Sequence, residues 1–184
     1  KAELLSDSPS PEVSDRLAGS LLDLGDAQAA AAMLPRIAEI YPAGDCTRVR
    51  VGGLAETLEG AARPGHFDGV STVVMRLLNA VQPEELWLGQ KDAQQATVLE
   101  RMIADLLVPV RVRRGPTVRE RDGLALSSRN AYLGAEERAQ AVALSLGLRA
   151  ARERLVAGER SAARIVKAVR SAWHHFPLVR EDYV

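Results

Sequence analysis

Two polar segments, residues 89–95 and 122–130, hold the side chains of this chain that are best suited to chemistry. The first segment follows the short apolar run of residues 86–88 and places Lys91 and Asp92 directly after a predicted strand. In an open α/β sheet, ligands collect at the carboxyl ends of the strands, where helix N-termini offer free N–H groups to anions. We therefore expect Lys91 and Asp92 to lie at a phosphate-binding edge.

The second segment adds Ser127, Ser128 and Arg129. Their hydroxyl groups, backbone N–H groups and planar guanidinium fork match phosphate oxygens, and Lys91 supplies a compact cation for the same purpose. Such a set can offset the charge on a polyphosphate and its leaving group. Taken alone, a lysine at a helix start fits a solvated side chain better. The interpretation of Lys91 therefore depends on the Ser-Ser-Arg segment and on a resemblance carried by three motifs.

Three further residues could bind an acid. Gln95 lies one helical turn beyond Lys91 and projects from nearly the same face; its amide can donate and accept, although a helix-surface glutamine is the competing interpretation. Arg63 and His66 flank a proline–glycine turn that leads into a helix, so both could reach a carboxylate or phosphate. A capping or packing histidine is the alternative for His66. Glu59 could orient Arg63 by a salt bridge.

Three segments together resemble the pantoate–β-alanine ligase (pantothenate synthetase) family. They are Arg-Pro-Gly-His-Phe-Asp-Gly-Val at residues 63–70, Gly-Gln-Lys-Asp-Ala-Gln-Gln at 89–95, and the stretch from Val-Arg-Glu to Leu-Ser-Ser-Arg-Asn at 118–130. Their order and spacing match the family as well. The resemblance implies an ATP-dependent ligase that condenses (R)-pantoate with β-alanine through a pantoyl-adenylate, with ATP as co-substrate and Mg²⁺ as cofactor.

The resemblance also implies a role for each matching residue, and it favours an anion-binding Lys91 over a solvated one. The implied catalytic residues are Lys91, Ser127, Ser128 and Arg129. The implied ATP-binding residues are Gly89, Gln90, Lys91, Asp92, Val118, Leu126, Ser127, Ser128 and Arg129, with Val118 at the adenine. The implied substrate-binding residues are Gln95, Arg63 and His66. No protein metal site is expected, because one carboxylate, Asp92, does not define one.

One departure from the family concerns the N-terminal part of the chain. The family's Met-Gly-Ala-Leu-His-x-Gly-His type segment has no counterpart, since the only histidines are His66, His174 and His175. We expect a fragment of a homodimeric enzyme that lacks this segment and the end of its C-terminal domain, and that is inactive alone. Two alternatives stay open: another adenylyl- or nucleotidyltransferase of the same superfamily, or a catalytically inactive interaction module.

Composition excludes several classes of function. Lys+Arg and Asp+Glu both total 24, so the formal net charge of zero provides no field to attract nucleic acid or an anionic membrane. No apolar run approaches the roughly 20 residues that span a bilayer. The single cysteine, Cys46, excludes an intramolecular disulfide and fits a reducing compartment. We therefore expect a cytoplasmic protein with no nucleic-acid or membrane partner.

The hydrophobic pattern predicts the elements that position these residues. An apolar stripe over residues 67–81 indicates a helix, and residues 86–88 indicate a short buried strand. A helix over 96–106 and a strand over 109–112 follow. This alternation predicts a parallel sheet, which the resemblance identifies as part of a Rossmann-like nucleotide-binding α/β domain.

The flanking segments complete the predicted organisation. Residues 47–51 alternate as a half-buried strand does, whereas the glycines and Pro64 of residues 52–65 predict a long loop. Helices are predicted over 134–155 and 161–173. We expect a weakly matching helical N-terminal segment at residues 1–40, a nucleotide- and pantoate-binding α/β domain at 41–130, and the helical start of a smaller α+β C-terminal domain at 131–184.

Overall fold

The structure, a computed structural model, describes residues 40–184. Within this part of the chain the helices are α1 (Glu59–Ala62), α2 (His66–Val81), α3 (Ala93–Asp105), α4 (Ala135–Gln140), α5 (Ala143–Val156) and α6 (Ala162–Trp173). The strands are β1 (Glu85–Gly89) and β2 (Arg111–Gly115), and 3₁₀ turns lie at Gln90–Asp92 and Ser128–Tyr132. The helical segment predicted at residues 1–40 lies outside the described residues, except for Ile40.

Strands β1 and β2 pair in parallel, with Glu85 opposite Arg111 and Gly89 opposite Gly115. Helix α3 connects them, so the predicted parallel β–α–β arrangement is confirmed. Strand β2 begins two residues later than predicted. The cause is local: Pro109 has no N–H group to donate, and the Val110 N–H turns back to the Val108 carbonyl, so pairing starts at Arg111.

The core lies between the sheet and helices α2 and α3. Leu99 and Met102 of α3 are almost inaccessible to solvent and contact Phe67 and Leu78 of α2 in one apolar cluster. Burial of side chains of this size stabilises a fold by roughly 1.5–3 kcal/mol each. The cluster therefore fixes the axis of α3 and places its first turn at the end of β1.

The prediction that residues 86–88 form a buried strand is wrong for one face of β1. Leu86 and Leu88 pack against the core, whereas Trp87 on the opposite face is 66% exposed. Successive side chains of a strand point to opposite faces, and only one face of β1 is covered within residues 40–184. The apolar run of residues 86–88 therefore contains two residues that pack against the core and one exposed tryptophan.

The predicted strand over residues 47–51 does not form. The Val49 N–H donates to Thr72 Oγ1 at 2.9 Å, so the backbone is held by α2 instead of by a neighbouring strand. Val49 and Val51 still pack against the core. The alternating pattern therefore predicted which side chains face inward, but not the hydrogen-bond partner of the backbone.

Residues 52–65, predicted to be a loop, contain the single helical turn α1. Gly60 in this turn approaches the backbone closely, because a Cβ built on it would lie 1.9 Å from the Ala55 carbonyl oxygen. No side chain fits at that distance. Glycine here permits the tight path that brings Glu59 towards the start of α3.

The single helix predicted over residues 134–155 is two helices, α4 and α5, interrupted at residues 141–142. At the start of α5 the Val142 carbonyl accepts both the Leu146 N–H at 3.1 Å and the Ser145 hydroxyl at 2.9 Å. Helix α5 packs closely on α6, since the Trp173 Nε1–H donates to the Ala143 carbonyl at 2.9 Å. A Cβ on Gly147 would lie 2.5 Å from that Trp173 nitrogen, so only glycine fits there.

Candidate functional site at the strand ends

The carboxyl end of β1 carries the predicted lysine. After Gly89 the chain makes the 3₁₀ turn at Gln90–Asp92 and enters α3 at Ala93. The Lys91 side chain is 42% exposed, and its Nζ lies 3.4 Å from Asp92 Oδ1. An exposed pair of this kind contributes little to stability. The lysine therefore lies at a strand end, as predicted, where an approaching anion can reach it.

Arg114, near the end of β2, holds this turn in place. Its guanidinium donates to Gln90 Oε1 at 3.2 Å and to Thr97 Oγ1 at 3.0 Å. It also forms a two-point contact with the Glu100 carboxylate at 2.6 and 2.7 Å. The hydrogen bond from Arg114 lowers the pKa of Glu100, and the same bond raises the pKa of Arg114. A role for Arg114 was not predicted from the sequence, although its position beside the strand-end Gly115 was an available signal.

Gln94 brings a second segment to the first turn of α3. Its Nε2 donates to the carbonyls of Leu54 and Thr57 at 3.0 and 2.7 Å, and its Oε1 accepts the Glu59 N–H at 3.1 Å. No role was predicted for Gln94, whereas its neighbour Gln95 was predicted to bind substrate. Gln95 makes no side-chain hydrogen bond within residues 40–184, so its amide is available to a ligand. The two glutamines thus have different surroundings.

The predicted ion pair between Glu59 and Arg63 is confirmed, with Arg63 Nη1 3.1 Å from Glu59 Oε1. The other carboxylate oxygen, Oε2, accepts a hydrogen bond from the Tyr183 hydroxyl at 3.1 Å. Burial alone would raise the pKa of Glu59, but the hydrogen bonds from Arg63 and Tyr183 outweigh it and hold the pKa below its usual value. His66 begins α2, with its ring 5.0 Å from that of Phe67.

Residues 118–126 fold back on themselves as a short antiparallel hairpin. Arg119 lies opposite Ala125, and the Leu126 N–H donates to the Val118 carbonyl at 2.9 Å. Gly123, with φ +99°, makes the reversal. Val118 and Leu126, both implied to bind ATP, are therefore neighbours, and both are exposed. They form a small apolar surface next to the Ser-Ser-Arg segment.

The Ser-Ser-Arg segment forms the start of the second 3₁₀ turn. Ser127 Oγ accepts the Arg129 N–H at 3.2 Å, and the Asn130 side chain donates to the Ala125 carbonyl at 3.0 Å. The Ser127 hydroxyl thus caps the turn, while Ser128 and the Arg129 guanidinium are exposed. The guanidinium of Arg129 makes no hydrogen bond or ion pair to residues 40–184, so all of its donors are available to a ligand.

The charged run before this segment fastens the hairpin to α4. Arg138 of α4 lies 2.7 Å from both Glu120 Oε2 and Asp122 Oδ2. The hydrogen bond from Arg138 lowers the pKa of Asp122, and that from the Leu124 N–H lowers it further. These contacts hold the hairpin that leads into the Ser-Ser-Arg segment. Arg138, which supplies the anchor, was not predicted.

Hydrogen bonds connect some of the segments that carry predicted site residues, but not all of them. Gln94 links the segment of Glu59 and Arg63 to the helix that carries Gln95. No hydrogen bond or ion pair among the described residues links residues 127–129 to Lys91. In the part of the chain that the structure covers, no group of three or more His, Cys, Asp or Glu side chains could hold a metal ion. No helix in that part is long and apolar enough to cross a membrane.

These features define an α/β protein with a partial Rossmann-like arrangement and a candidate ligand-binding edge at its strand ends. The family model for pantoate–β-alanine ligase matches residues 17–184, and the chain belongs to this family. The resemblance seen in the three sequence motifs is therefore confirmed.

Individual relatives agree with this assignment. The chain is 54% identical over 151 residues to the pantothenate synthetase of Chloroflexus aurantiacus, a match that covers 82% of this chain and 54% of the relative. It is 50% identical over 154 residues to that of Moorella thermoacetica, covering 84% of this chain and 54% of the relative. The chain thus spans about half the length of these relatives.

Two solved structures show the same fold. The pantothenate synthetase of Thermus thermophilus superposes with a TM-score of 0.79 at 43% identity, over 99% of this chain and 64% of that one. The pantoate–β-alanine ligase of Francisella tularensis, complexed with β-γ ATP and β-alanine, superposes with a TM-score of 0.61 at 28% identity. That match covers 87% of this chain and 62% of the other.

Proposed function

We propose that this chain forms the ATP- and pantoate-binding part of a ligase that condenses (R)-pantoate with β-alanine to give pantothenate, as the resemblance implied. The observation that carries the proposal is the exposed Lys91 in the turn after β1, with Gln95 four residues further on in the first turn of α3. The Chloroflexus and Moorella relatives are named pantothenate synthetases. The Francisella relative is complexed with a nucleotide and β-alanine, the kinds of ligand proposed here.

The reaction requires that the pantoate carboxylate be activated. A carboxylate oxygen attacks the α-phosphorus of ATP, which forms pantoyl-adenylate and releases diphosphate. The β-alanine amine then attacks the acyl carbon, which forms the amide and releases AMP. In such a sequence the protein aligns the reactants and offsets charge on the phosphates.

The first group of proposed contacts binds the nucleotide. Lys91 offsets charge on the phosphates, and Arg129 supplies a fork for phosphate oxygens. Val118 and Leu126 line the adenine, next to Ser127 and Ser128. The remaining nucleotide contacts come from Gly89, Gln90 and Asp92 at the turn after β1.

The acid is proposed to bind on the other side of Lys91. Gln95 can both donate to and accept from a hydroxy acid, and its side chain is not committed to another described residue. Arg63 lies just before α2 and His66 is the first residue of α2; a guanidinium and an imidazole at this position suit a carboxylate. Glu59 fixes Arg63 at 3.1 Å.

Mg²⁺ fits this site only as an ion carried by the nucleotide. Mg²⁺ is commonly held by one or two carboxylates together with substrate phosphates, and Asp92 is the one carboxylate in the turn that carries Lys91. When bound with ATP, Mg²⁺ would neutralise phosphate charge and assist the departure of diphosphate.

We further propose that the assembled protein is a cytoplasmic homodimer whose α/β and helical parts meet near residue 130. Leu144 and Leu148 on α5 are 58% and 61% exposed, which leaves apolar surface for a second copy. The free, exposed Cys46 fits a reducing compartment. Light scattering coupled to gel filtration measures the oligomeric state directly.

The proposed activity is tested by pantoate-dependent exchange of labelled diphosphate into ATP, using protein expressed from its complete coding sequence. Exchange without β-alanine reports the adenylate step alone. We expect exchange with pantoate and Mg²⁺-ATP, and formation of AMP only when β-alanine is added. Exchange with another acid but not with pantoate would favour a different adenylyltransferase of the superfamily. Absence of exchange with every acid would favour a non-catalytic interaction module.

A further inference from the structure

The Glu59 carboxylate contacts residues from widely separated parts of the chain. Oε1 accepts from Arg63 Nη1 and Oε2 accepts from the Tyr183 hydroxyl, both at 3.1 Å. The Glu59 backbone N–H donates to Gln94 Oε1, also at 3.1 Å. Gln94 is fixed in turn by its bonds to the Leu54 and Thr57 carbonyls. Glu59 is therefore held through both its backbone and its side chain.

Glu59 makes more hydrogen bonds than an isolated surface ion pair would. Glu59 and Arg63 are four residues apart, and their side chains are 32% and 38% exposed. An isolated pair at this exposure is weak, because two long side chains must be ordered for one contact. Tyr183 and Gln94 remove much of that freedom by fixing Glu59 before Arg63 binds to it. The guanidinium of Arg63 is then directed by a preorganised carboxylate.

We propose that Glu59 is a positioning residue, which aims Arg63 at a carboxylate-bearing substrate and is itself fixed by Gln94 and Tyr183. The inference rests on the proposed function, because Arg63 is there placed at the acid. Both acid substrates of the proposed reaction, pantoate and β-alanine, carry a carboxylate that a guanidinium can bind. The Tyr183 hydrogen bond thus connects the predicted C-terminal region to α1, which begins at Glu59.

The proposal is tested in protein from the complete coding sequence by measuring KM for pantoate, β-alanine and ATP separately, together with kcat. The variants are Arg63→Ala, Glu59→Ala, Glu59→Gln and Tyr183→Phe, with the double variants Glu59→Ala/Arg63→Ala and Glu59→Ala/Tyr183→Phe. Asp105→Ala is the matched control, because Asp105 forms an exposed pair with Arg101 at the same four-residue spacing, at 2.8 Å. Circular dichroism checks that each variant is folded.

We expect Arg63→Ala and Glu59→Ala to raise KM for one acid substrate about ten-fold, as loss of a charged hydrogen bond predicts, with KM for ATP unchanged. Glu59→Gln should recover part of the loss, since its amide oxygen still accepts from Arg63. Tyr183→Phe should raise the same KM by about two- to five-fold. The effects should not add in the double variants, because the residues act through one contact. The control should leave every constant unchanged.

Two contrary results have different meanings. If Arg63→Ala leaves both acid KM values unchanged, the proposed substrate role of Arg63 is wrong, and the positioning role fails with it. If Arg63→Ala raises an acid KM but Glu59→Ala and Tyr183→Phe do not, or if the effects add, Arg63 keeps its role and the positioning role of Glu59 is overturned. Which acid KM rises identifies the substrate that Arg63 contacts.

Discussion

At the scale of single residues, Lys91 combines exposure with a position at the end of a strand. In protein from the complete coding sequence, Lys91→Ala should reduce kcat/KM by about 10²–10³, the effect typical of losing one preorganised contact to transition-state charge. Its melting temperature should change little, because the side chain is exposed and makes only the weak pair with Asp92. Steady-state AMP formation and thermal melting measure the two effects.

Lys167→Ala is the control, since Lys167 is an exposed lysine of α6 outside the site. A Lys91→Ala enzyme within a few-fold of the wild type would show that Lys91 is a solvated lysine. Arg129→Lys should also reduce activity, because a point charge does not reproduce a planar fork.

The two adjacent glutamines provide a matched pair. Gln95→Ala should raise KM for pantoate more than KM for ATP and leave the free energy of unfolding unchanged, because its side chain bonds to no described residue. Gln94→Ala should lower the free energy of unfolding by about 1–3 kcal/mol, since it leaves the Leu54, Thr57 and Glu59 backbone groups without their partner. Urea unfolding and substrate kinetics separate these outcomes, and equal effects of Gln95→Ala on both substrates would contradict its placement.

At the scale of elements, the hairpin of residues 118–126 depends on its ion pairs with α4. Arg138 lowers the pKa of Asp122 below its ordinary 3.8, so the carboxylate contributes stability above that pH and loses it as the pH falls through the lowered pKa. Arg138→Gln should therefore destabilise the protein more at pH 7 than at pH 3. Urea unfolding at both pH values tests this, and an equal difference at the two would show that the pairing does not contribute.

The contact between α5 and α6 depends on Gly147. Gly147→Ala should destabilise the protein by about 1–3 kcal/mol, the usual cost of overpacking, because its Cβ would lie 2.5 Å from Trp173 Nε1 and 2.9 Å from Val169 Cγ1. Gly69→Ala in α2 is the control, since nothing described lies within 4 Å of its Cβ position. Alanine there should be neutral or stabilising, because it is the better helix former. Similar melting temperatures for both variants would contradict the close packing.

At the scale of the whole molecule, the 184 residues by themselves should not form pantothenate at an appreciable rate. Lys91 and residues 127–129 are proposed to offset charge on the phosphates, whereas the histidine-bearing segment that the family resemblance implies has no counterpart in residues 1–36. Catalytic groups that act as a unit lose their effect together when one is missing. The assay is AMP formation with Mg²⁺-ATP, pantoate and β-alanine, and robust turnover would show that the histidine segment is dispensable.

The sequence predicted the elements whose signal is local. The apolar stripe of residues 67–81 corresponds to α2, and the predicted strand at 86–88 corresponds to β1. Both were predictable because the spacing of apolar residues indicates the type of element and its buried face. The positions of Lys91 and Arg129 followed from a strand end and a turn. The Glu59–Arg63 pair was also predictable from the sequence, because its two residues are only four positions apart in the chain.

Contacts between distant segments had no such signal. Residues 47–51 alternate like a strand, yet their backbone bonds to Thr72 of α2, and the interruption between α4 and α5 lies in an otherwise helical sequence. The roles of Gln94, Arg114, Arg138 and Tyr183 were likewise missed. Each acts through partners that lie at least 14 residues away in the chain.

The sequence by itself therefore determined the family and the parallel α/β arrangement, because short motifs and periodic burial encode these locally. Only the tertiary structure decided which polar side chains hold those residues in place. By its chemistry an amide can bind either a substrate or a backbone group, so the sequence alone could not show that Gln94 binds the backbone. The distances to Leu54, Thr57 and Glu59 assign Gln94 to the backbone, whereas the substrate role of Gln95 stays a prediction.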